Sequence, residues 1–260
     1  GVTGVQTCAL PIFDDDGQAV PAKLALFGTR LTLSLDDAGA RYPLHVDPLI
    51  WAQLGAAIKP TTPVANDAFG TAVAVAGDTV VVGAPMSDDV DVDAGCAYVF
   101  TRTMPGQWME RKLLSVGVSA GAHLGQAVAI SSTAVAGEKR IVLGAPDDGG
   151  TGSISLWKGS GGTWTYEATL APISLTGGDL FGTSVGVFDD RVIAGGPGYN
   201  TNDGYAAIYE PMGAAWNEVG TFLGAAGSGE KYGFSVAIDN NLAVAGVPLR
   251  DMGATDGGGY

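Results

Sequence analysis

The chain has 260 residues, of which 46% are hydrophobic and 15% are charged, so it can bury a substantial core and is not intrinsically disordered. Its 13 basic and 27 acidic residues give a formal net charge of −14, which makes nucleic acid and anionic membranes poor partners. The 41 glycines show no Gly-X-Y period, which excludes collagen, and no apolar run is long enough for a transmembrane helix. We therefore expect a glycine-punctuated, β-rich protein that binds no nucleic acid and inserts into no membrane.

The first twelve residues do not follow the pattern of the rest. Residues 2–12 read VTGVQTCALPI and resemble a translated sequencing adapter, so we interpret residues 1–12 as a sequencing or gene-prediction artefact. A signal-peptide remnant is the weaker alternative, because no basic segment precedes the short apolar run. Without Cys8, the remaining cysteine is Cys96, which we expect to be buried in a strand. We also expect the chain to be a fragment, because its end, GATDGGGY, stops within a pattern that earlier copies continue.

Residues 13–50 predict a short β-segment of their own. The stretch AKLALFGTRLTLSLDDAGARYPLHVDP reads as two β-strands around an Asp-Asp-Ala-Gly turn at residues 36–39. We interpret this segment as the end of an upstream β-domain plus a linker, joined at Pro48 to the remainder of the chain.

An internal repeat organises residues 51–260. An apolar residue followed by Gly opens a first strand every 51–57 residues, and a second strand ends in Gly, a small residue and Pro. A loop rich in Asp and Gly comes next, then a third strand after a Gly and a fourth strand starting at a Trp. The opening pairs are Phe69-Gly70, Leu124-Gly125, Phe181-Gly182 and Tyr232-Gly233; the prolines are Pro85, Pro146, Pro197 and Pro248; the third strands follow Gly95, Gly152 and Gly204; the tryptophans are Trp108, Trp164 and Trp216.

Four short strands in a repeat of this length predict one blade of a β-propeller, because a lone four-stranded sheet buries its faces only when blades stack. We predict an all-β fold: a partial β-propeller of about three and a half four-stranded blades in an open arc, preceded by a short β-hairpin segment. The run IWAQLGAA at 50–57 predicts a lone outer strand of the kind that completes the last blade of a ring. The predicted blades occupy about residues 67–114, 122–170, 179–223 and 230–260, the last of them truncated.

The stretch DAFGTAVAVAGDTVVVGAP at 67–85 resembles the FG-GAP repeat, the repeat of integrin α propellers, in its bacterial form with a compact first hairpin. The resemblance covers roughly residues 51–260. It implies a propeller, commonly seven-bladed, in a secreted or cell-surface protein that binds partners or carbohydrate rather than catalysing a reaction. The calcium loop of the integrin type, D-x-D-x-D-G between the Phe-Gly and Gly-Ala-Pro elements, does not carry over. Three copies have two strands and a tight turn in that interval, and the longer second copy has no aspartate in its insert.

One cation candidate lies elsewhere, after the first Gly-Ala-Pro. The sequence SDDVDVDAG places Asp89, Asp91 and Asp93 at alternate positions, and these carboxylates could coordinate calcium if the loop curls. A solvated acidic loop is the alternative, because Ala94 separates the third Asp from the Gly and no bidentate acid closes the loop. We expect no other cofactor. The equivalent loops of the next blades carry Asp147, Asp148 and Asp203.

The sequence predicts no active site. Neither His45 nor His123 has a Cys or His at ligand spacing, and no Gly-x-Ser-x-Gly elbow occurs. We therefore expect a non-catalytic extracellular or cell-surface module for binding or adhesion, whose propeller loops contact an unknown protein or carbohydrate. Two alternatives stay open: the non-catalytic propeller of a larger secreted enzyme, and a structural spacer of a surface protein.

Overall fold

The computed structural model describes residues 12–16, 18, 20–27, 30–46, 57–104, 106–114, 116–172, 177–213 and 215–249. The interpretation of residues 1–12 as an artefact lies outside these residues, except for Ile12. The outer strand predicted at 50–57 also lies outside them, except for its last residue. The chain divides into two compact units, Gly1–Ala56 and Ala57–Tyr260.

The first unit contains two short antiparallel strand pairs. The prediction of a β-hairpin segment is confirmed, but the strands on the two sides of residues 36–39 do not pair with each other as predicted: β2 (Ala22–Phe27) pairs with β3 (Arg30–Leu35), and β1 (Ile12–Phe13) pairs with β4 (His45–Val46). Residues 36–39 do form a turn, in which the Ala40 amide donates to the Asp37 carbonyl. The strand before that turn, RLTLSL, pairs with the strand that precedes it in the chain, AKLALF. The two strands are equal in length and only two residues apart, which favours a hairpin between them. The strands are β1 (Ile12–Phe13), β2 (Ala22–Phe27), β3 (Arg30–Leu35) and β4 (His45–Val46).

The second unit consists of successive antiparallel sheets. Blade 1 is β5 (Val73–Ala76), β6 (Thr79–Ala84), β7 (Cys96–Met104) and β8 (Gln107–Leu114). Blade 2 is β9 (Ala127–Ser132), β10 (Lys139–Ala145), β11 (Ser153–Ser160) and β12 (Thr163–Leu170). Blade 3 is β13 (Ser184–Phe188), β14 (Arg191–Gly196), β15 (Tyr205–Met212) and β16 (Ala215–Leu223). Blade 4 is β17 (Val236–Asp239) and β18 (Leu242–Ala245); one 3-10 turn spans Asp148–Gly150, and one helical turn, α1, spans Tyr199–Asn202.

Each sheet is a meander in which every strand pairs with the strands next to it in the chain. Within the described residues there are three four-stranded blades and the first two strands of a fourth. This confirms the predicted all-β, partial-propeller fold. The regular order follows from the sequence, in which short strands rich in Val, Ile and Ala alternate with Gly, Asp, Asn and Pro.

The core consists of apolar layers between successive blades. Ala97 and Val99 on β7 point towards blade 2 and share a buried cluster with Ile141 of β10. Val142, the next residue of β10, points the other way and joins Val192 of blade 3 in the following layer. Because alternate residues of a strand point to opposite faces, one strand serves two layers and needs apolar side chains on both sides. This explains the low fraction of charged residues in the chain.

Glycines allow the backbones of successive blades to touch. In blades 1, 2 and 3, the glycine one residue before the end of the second strand lies against the glycine of the next blade's opening pair. A Cβ added to Gly83 would lie 1.9 Å from the carbonyl oxygen of Gly125. One added to Gly144 would lie 2.0 Å from that of Gly182. No side chain fits at these distances, so the repeated glycine is required by the contact between blades. The third such pair is Gly195 and Gly233.

A backbone hydrogen bond accompanies each glycine contact. The amide of Phe181 donates to the carbonyl of Thr151 in the preceding blade at 2.9 Å, beside a parallel bridge between Gly152 and Phe181. This bond fixes the residue that precedes the glycine of the opening pair, which we call the anchor residue, so that its side chain lies between the two blades. The anchor residues Leu124 and Phe181 are both fully buried there. We call the paired glycines together with this hydrogen bond the interlock. The equivalent bonds run from Leu124 to Ala94 and from Tyr232 to Asp203.

Gly144→Ala tests the interlock in the middle of the unit. The added methyl group would collide with the backbone of Gly182, so we expect the free energy of unfolding to fall by about 3 kcal/mol. Gly220→Ala is the matched control, because Gly220 also lies in a strand and its added Cβ would make only ordinary contact with Ile208, at 3.8 Å. Urea unfolding followed by tryptophan fluorescence measures both variants. Equal stability of the two would contradict the interlock.

Candidate functional site

One end of the blades gathers the repeated elements of the sequence. Within a blade, the first strand starts and the second strand ends at the same end of the sheet, because the two are antiparallel. The loop after the second strand and the connection to the next blade lie at that end too. We call this end the loop face. The opposite end, with the tight turns at 77–78 and 161–162, is the hairpin face.

Each blade places a residue of unusual backbone conformation at the same repeat position of the loop face. The residue before the opening pair is left-handed in all four blades, with φ between 55° and 57°. The hydroxyls of Thr71 and Thr183 fix two of these turns by donating to the carbonyls of Ala68 and Leu180, at 2.8 and 2.7 Å. Non-glycine residues seldom adopt this conformation, and such outliers gather at functional sites. The four residues are Ala68, His123, Leu180 and Lys231.

A cavity of about 530 Å³ opens on the loop face and is shared by three blades. Ala68, His123 and Leu180 line it together, one from each blade. Pro85 and Pro146, which end second strands, add to the apolar part of the wall. The repeat therefore builds the cavity. Sequence reasoning missed it, although the unlike residues at one repeat position were a visible signal.

A polar pair lies in the wall of this cavity. Nδ1 of His123 is 2.7 Å from a carboxylate oxygen of Asp147, and both side chains are partly exposed. The carboxylate orients the ring, so the other ring nitrogen is available to a ligand. Gln126 also lines the cavity, whereas the lining hydroxyls of Thr71 and Thr183 are engaged with backbone carbonyls. The cavity thus offers apolar contact with a few oriented hydrogen-bonding groups.

The structure does not bring the three carboxylates proposed as calcium ligands into one group. Asp89 forms an ion pair with Lys112, which lowers the pKa of Asp89. Asp91 is exposed and accepts the amide of Val92, and Asp93 is left-handed, with φ 48°. Among the residues that the structure describes, no three His, Cys, Asp or Glu side chains are placed to hold a metal ion. Calcium binding at these aspartates stays an untested hypothesis, and the pairing of Asp89 with Lys112 argues against it.

The acidic loop, residues 86–94, is nevertheless held in place. The amide of Gly121 in the connection to blade 2 donates to the carbonyl of Val92 at 2.8 Å. The side chains of Val90 and Val92 remain 51% and 64% exposed, alternating with carboxylates. The loop begins at Met86, which lines the cavity and is itself 43% exposed.

In the equivalent loops of blades 2 and 3, carboxylates accept hydrogen bonds from the connections between blades. Asp203 is only 1% exposed and accepts the amides of Gly229 and Gly227, at 2.9 and 2.8 Å. These hydrogen bonds hold the pKa of Asp203 below its usual range. Asp148 accepts the amide and the hydroxyl of Ser119 at 2.9 and 3.0 Å. Each carboxylate therefore secures a connection between neighbouring blades.

The stacked meanders and their shared loop face define a β-propeller-type module. A family model described as FG-GAP repeat matches residues 56–100, which include β5, β6 and the buried half of β7. The chain therefore carries an FG-GAP repeat, as the residues at 67–85 indicated. No curated protein shows a significant match to the chain. Among the described helices, none has the length and apolar character needed to cross a membrane.

Asp203→Asn tests the buried carboxylate. The folded pKa of Asp203 is lowered, so the carboxylate stabilises the fold above the pKa of an unfolded Asp, about 3.9, and this contribution is lost as the pH falls through the lower folded value. We expect the variant to be less stable than wild type at neutral pH, with a difference that shrinks below about pH 4. Urea midpoints across this pH range measure it. Asp91→Asn, at an exposed carboxylate, is the control, and the same pH profile in both variants would contradict the assignment.

Calcium is tested by thermal unfolding in millimolar calcium and in chelator. Because Asp89 is already paired with Lys112, we expect the melting temperature of the wild type to be the same in both, since only a ligand of the native state raises it. Lys112→Met, which frees Asp89, is measured beside it. A calcium-dependent rise in the wild type that Asp91→Asn abolishes would overturn this expectation and establish the metal site.

Proposed function

We propose that the chain is a non-catalytic binding module that docks a partner protein on its loop face, in an extracellular or cell-surface setting. The observation that carries the proposal is the cavity shared by three blades, together with the exposed apolar side chains of the loop that begins in its wall at Met86. The FG-GAP repeat supports a propeller-type module, whose loops can vary while the blades keep the fold. Binding and catalytic functions are both placed on such loops, and the wall of this cavity is equipped for binding.

Exposed apolar residues favour a protein as the partner. Met86, Val90 and Val92 are 43%, 51% and 64% exposed, and they lie on one loop. Several exposed apolar side chains beside a cavity are typical of sites that bury themselves against another protein. The loop is fixed by a backbone hydrogen bond to the next blade, so it loses little conformational entropy on docking.

The charge of the loop face favours basic groups on that partner. Asp88, Asp91 and Asp147 are exposed on this face, and the whole chain carries a net charge of −14. A partner with basic side chains around an apolar residue would complement both features. Such charges raise the rate of association at low salt and add less at high salt.

The proposed setting is tested by the full-length gene. An export signal or a surface anchor beside the repeats would support an extracellular location. A complete gene without any export signal would contradict the proposed extracellular setting.

Val90→Glu tests the docking surface. A library of displayed, disulfide-closed random peptides is selected against the wild-type chain, and we expect enrichment of peptides that combine apolar and basic residues. The new carboxylate would be buried against an apolar group, so we expect the selected peptides to bind Val90→Glu at least tenfold more weakly, about 1.4 kcal/mol. Val219→Glu is the matched control, because Val219 is 49% exposed on β16 and Val90 is 51% exposed.

Two results would count against the proposal. One is a selection that enriches no peptide family. The other is a set of peptides that bind wild type, Val90→Glu and Val219→Glu equally. Enrichment of neutral, glycan-like ligands in a parallel carbohydrate array, with no peptide enrichment, would reassign the face to a carbohydrate.

A further inference from the structure

We propose that the cavity on the loop face receives a phenol group, the side chain of a tyrosine on the docked partner, and that Nε2 of His123 accepts a hydrogen bond from its hydroxyl. The inference rests on the proposed docking function and deepens it, because it names the group that enters the cavity. It is carried by the way in which three blades divide the cavity wall into apolar sides and one polar part.

The polar part of the wall comes from blade 2, which packs between blades 1 and 3. Asp147 follows the proline after β10, and His123 precedes the opening pair of the same blade. The antiparallel pairing of β9 with β10 brings these two loops together, so that Nδ1 of His123 lies 2.7 Å from a carboxylate oxygen of Asp147. Gln126, which is exposed just before β9, completes the polar part.

The contact with Asp147 decides what the ring of His123 offers to a ligand. An ionised carboxylate only accepts hydrogen bonds, so the proton of the neutral ring lies on Nδ1 and the lone pair lies on Nε2. Nε2 is therefore an acceptor that is held in a fixed orientation. A ligand that uses this acceptor must bring an O–H or N–H group.

The two flanking blades contribute apolar surface to the cavity. Ala68 and Met86 of blade 1 line it on one side of blade 2, and Leu180 of blade 3 lines it on the other. The hydroxyls of Thr71 and Thr183 donate within their own blades, to the carbonyls of Ala68 and Leu180. The sides of the cavity therefore suit the apolar body of a ligand, and blade 2 suits its polar tip.

A phenol matches both parts of the wall. Its flat ring is apolar, and the thioether of Met86 is a favourable neighbour for an aromatic ring. Its hydroxyl donates to Nε2 of His123 and can at the same time accept from the side-chain amide of Gln126. The cavity volume of about 530 Å³ lies within the range of about 300–1,000 Å³ that is usual for pockets that enclose small groups.

Other side chains match only one part of the wall. Phenylalanine and leucine would exclude water from Nε2 of His123 and leave this acceptor without a donor, which is unfavourable. Lysine or arginine would bring a charge next to apolar walls, where the carboxylate of Asp147 is already bonded to His123. The basic groups that we expect on the partner therefore lie around the cavity, near the exposed Asp88 and Asp91, and a neutral donor lies within it.

Two small probes test the proposal, because N-acetyltyrosine amide and N-acetylphenylalanine amide differ only in the hydroxyl. Their binding to the full chain is measured by saturation-transfer NMR. We expect wild type to bind the tyrosine amide about tenfold more tightly, as one hydrogen bond to an otherwise unpaired acceptor implies. His123→Leu removes the acceptor, and we expect it to bind both probes equally.

The fold is expected to tolerate His123→Leu, because a leucine, Leu180, already occupies this left-handed repeat position in blade 3. Lys231→Leu is the matched control. It makes the same replacement at the same repeat position of blade 4, and Lys231 does not line the cavity. We expect this control to keep the wild-type preference for the tyrosine amide.

Three results with the probes would overturn the phenol assignment: equal binding of the two amides by wild type, binding of neither, or a preference that His123→Leu retains. Peptides selected on the loop face separate this failure from a failure of the docking function. Peptides that bind Val90→Glu weakly but tolerate exchange of tyrosine for phenylalanine would uphold docking and overturn the phenol assignment. A tyrosine-amide preference in a chain that enriches no peptide would support the phenol site and count against docking alone.

Discussion

The close approach of backbones between blades is the constraint on which the second unit depends. The second strands of blades 1, 2 and 3 must each carry a glycine one residue before their end, since the carbonyl of the next blade's glycine occupies the space of a Cβ. At this separation the amide of the next blade's anchor residue reaches the preceding blade, as the amide of Phe181 donates to the carbonyl of Thr151. The apolar layers are wide and tolerant, whereas this contact excludes every residue except glycine. The repeat of the sequence is therefore first a repeat of this contact.

The interlock also shapes the loop face. The amide of the anchor residue donates to the preceding blade. The amide of the glycine after it donates within its own blade, as that of Gly125 does to the carbonyl of Gly144 at 2.9 Å. The residue immediately before these two is left-handed in all four blades, a conformation that non-glycine residues seldom adopt. That turn places the residue in the cavity wall. The repeat position that is left-handed in every blade is thus also one at which the side chain differs from blade to blade.

The sequence was sufficient to predict the blades, because a repeated pattern of four strands and their turns can bury its apolar faces only by stacking successive sheets. The glycine and anchor positions could be assigned for the same reason. The hairpin of the first unit was misplaced, since a strand flanked by two turn signals can pair in either direction and length matching decided it. The pairing of Asp89 with Lys112 was invisible because the two residues lie on neighbouring segments that only the folded sheet brings together. The cavity was missed because it needs three blades at once.

The acidic residues divide into two groups with different consequences for binding. Asp203 accepts amides of the connection that follows blade 3, and Asp148 accepts the amide and hydroxyl of Ser119 in the connection that precedes blade 2, so their charge is satisfied inside the protein. Asp89 is neutralised by Lys112, and Asp147 is hydrogen-bonded to the ring of His123. The surface that the loop face presents to a partner is therefore less negative than its sequence indicates, and its exposed carboxylates alternate with Val90 and Val92. Apolar contact must supply most of the affinity there, while the remaining charge sets the rate of approach and the choice of partner.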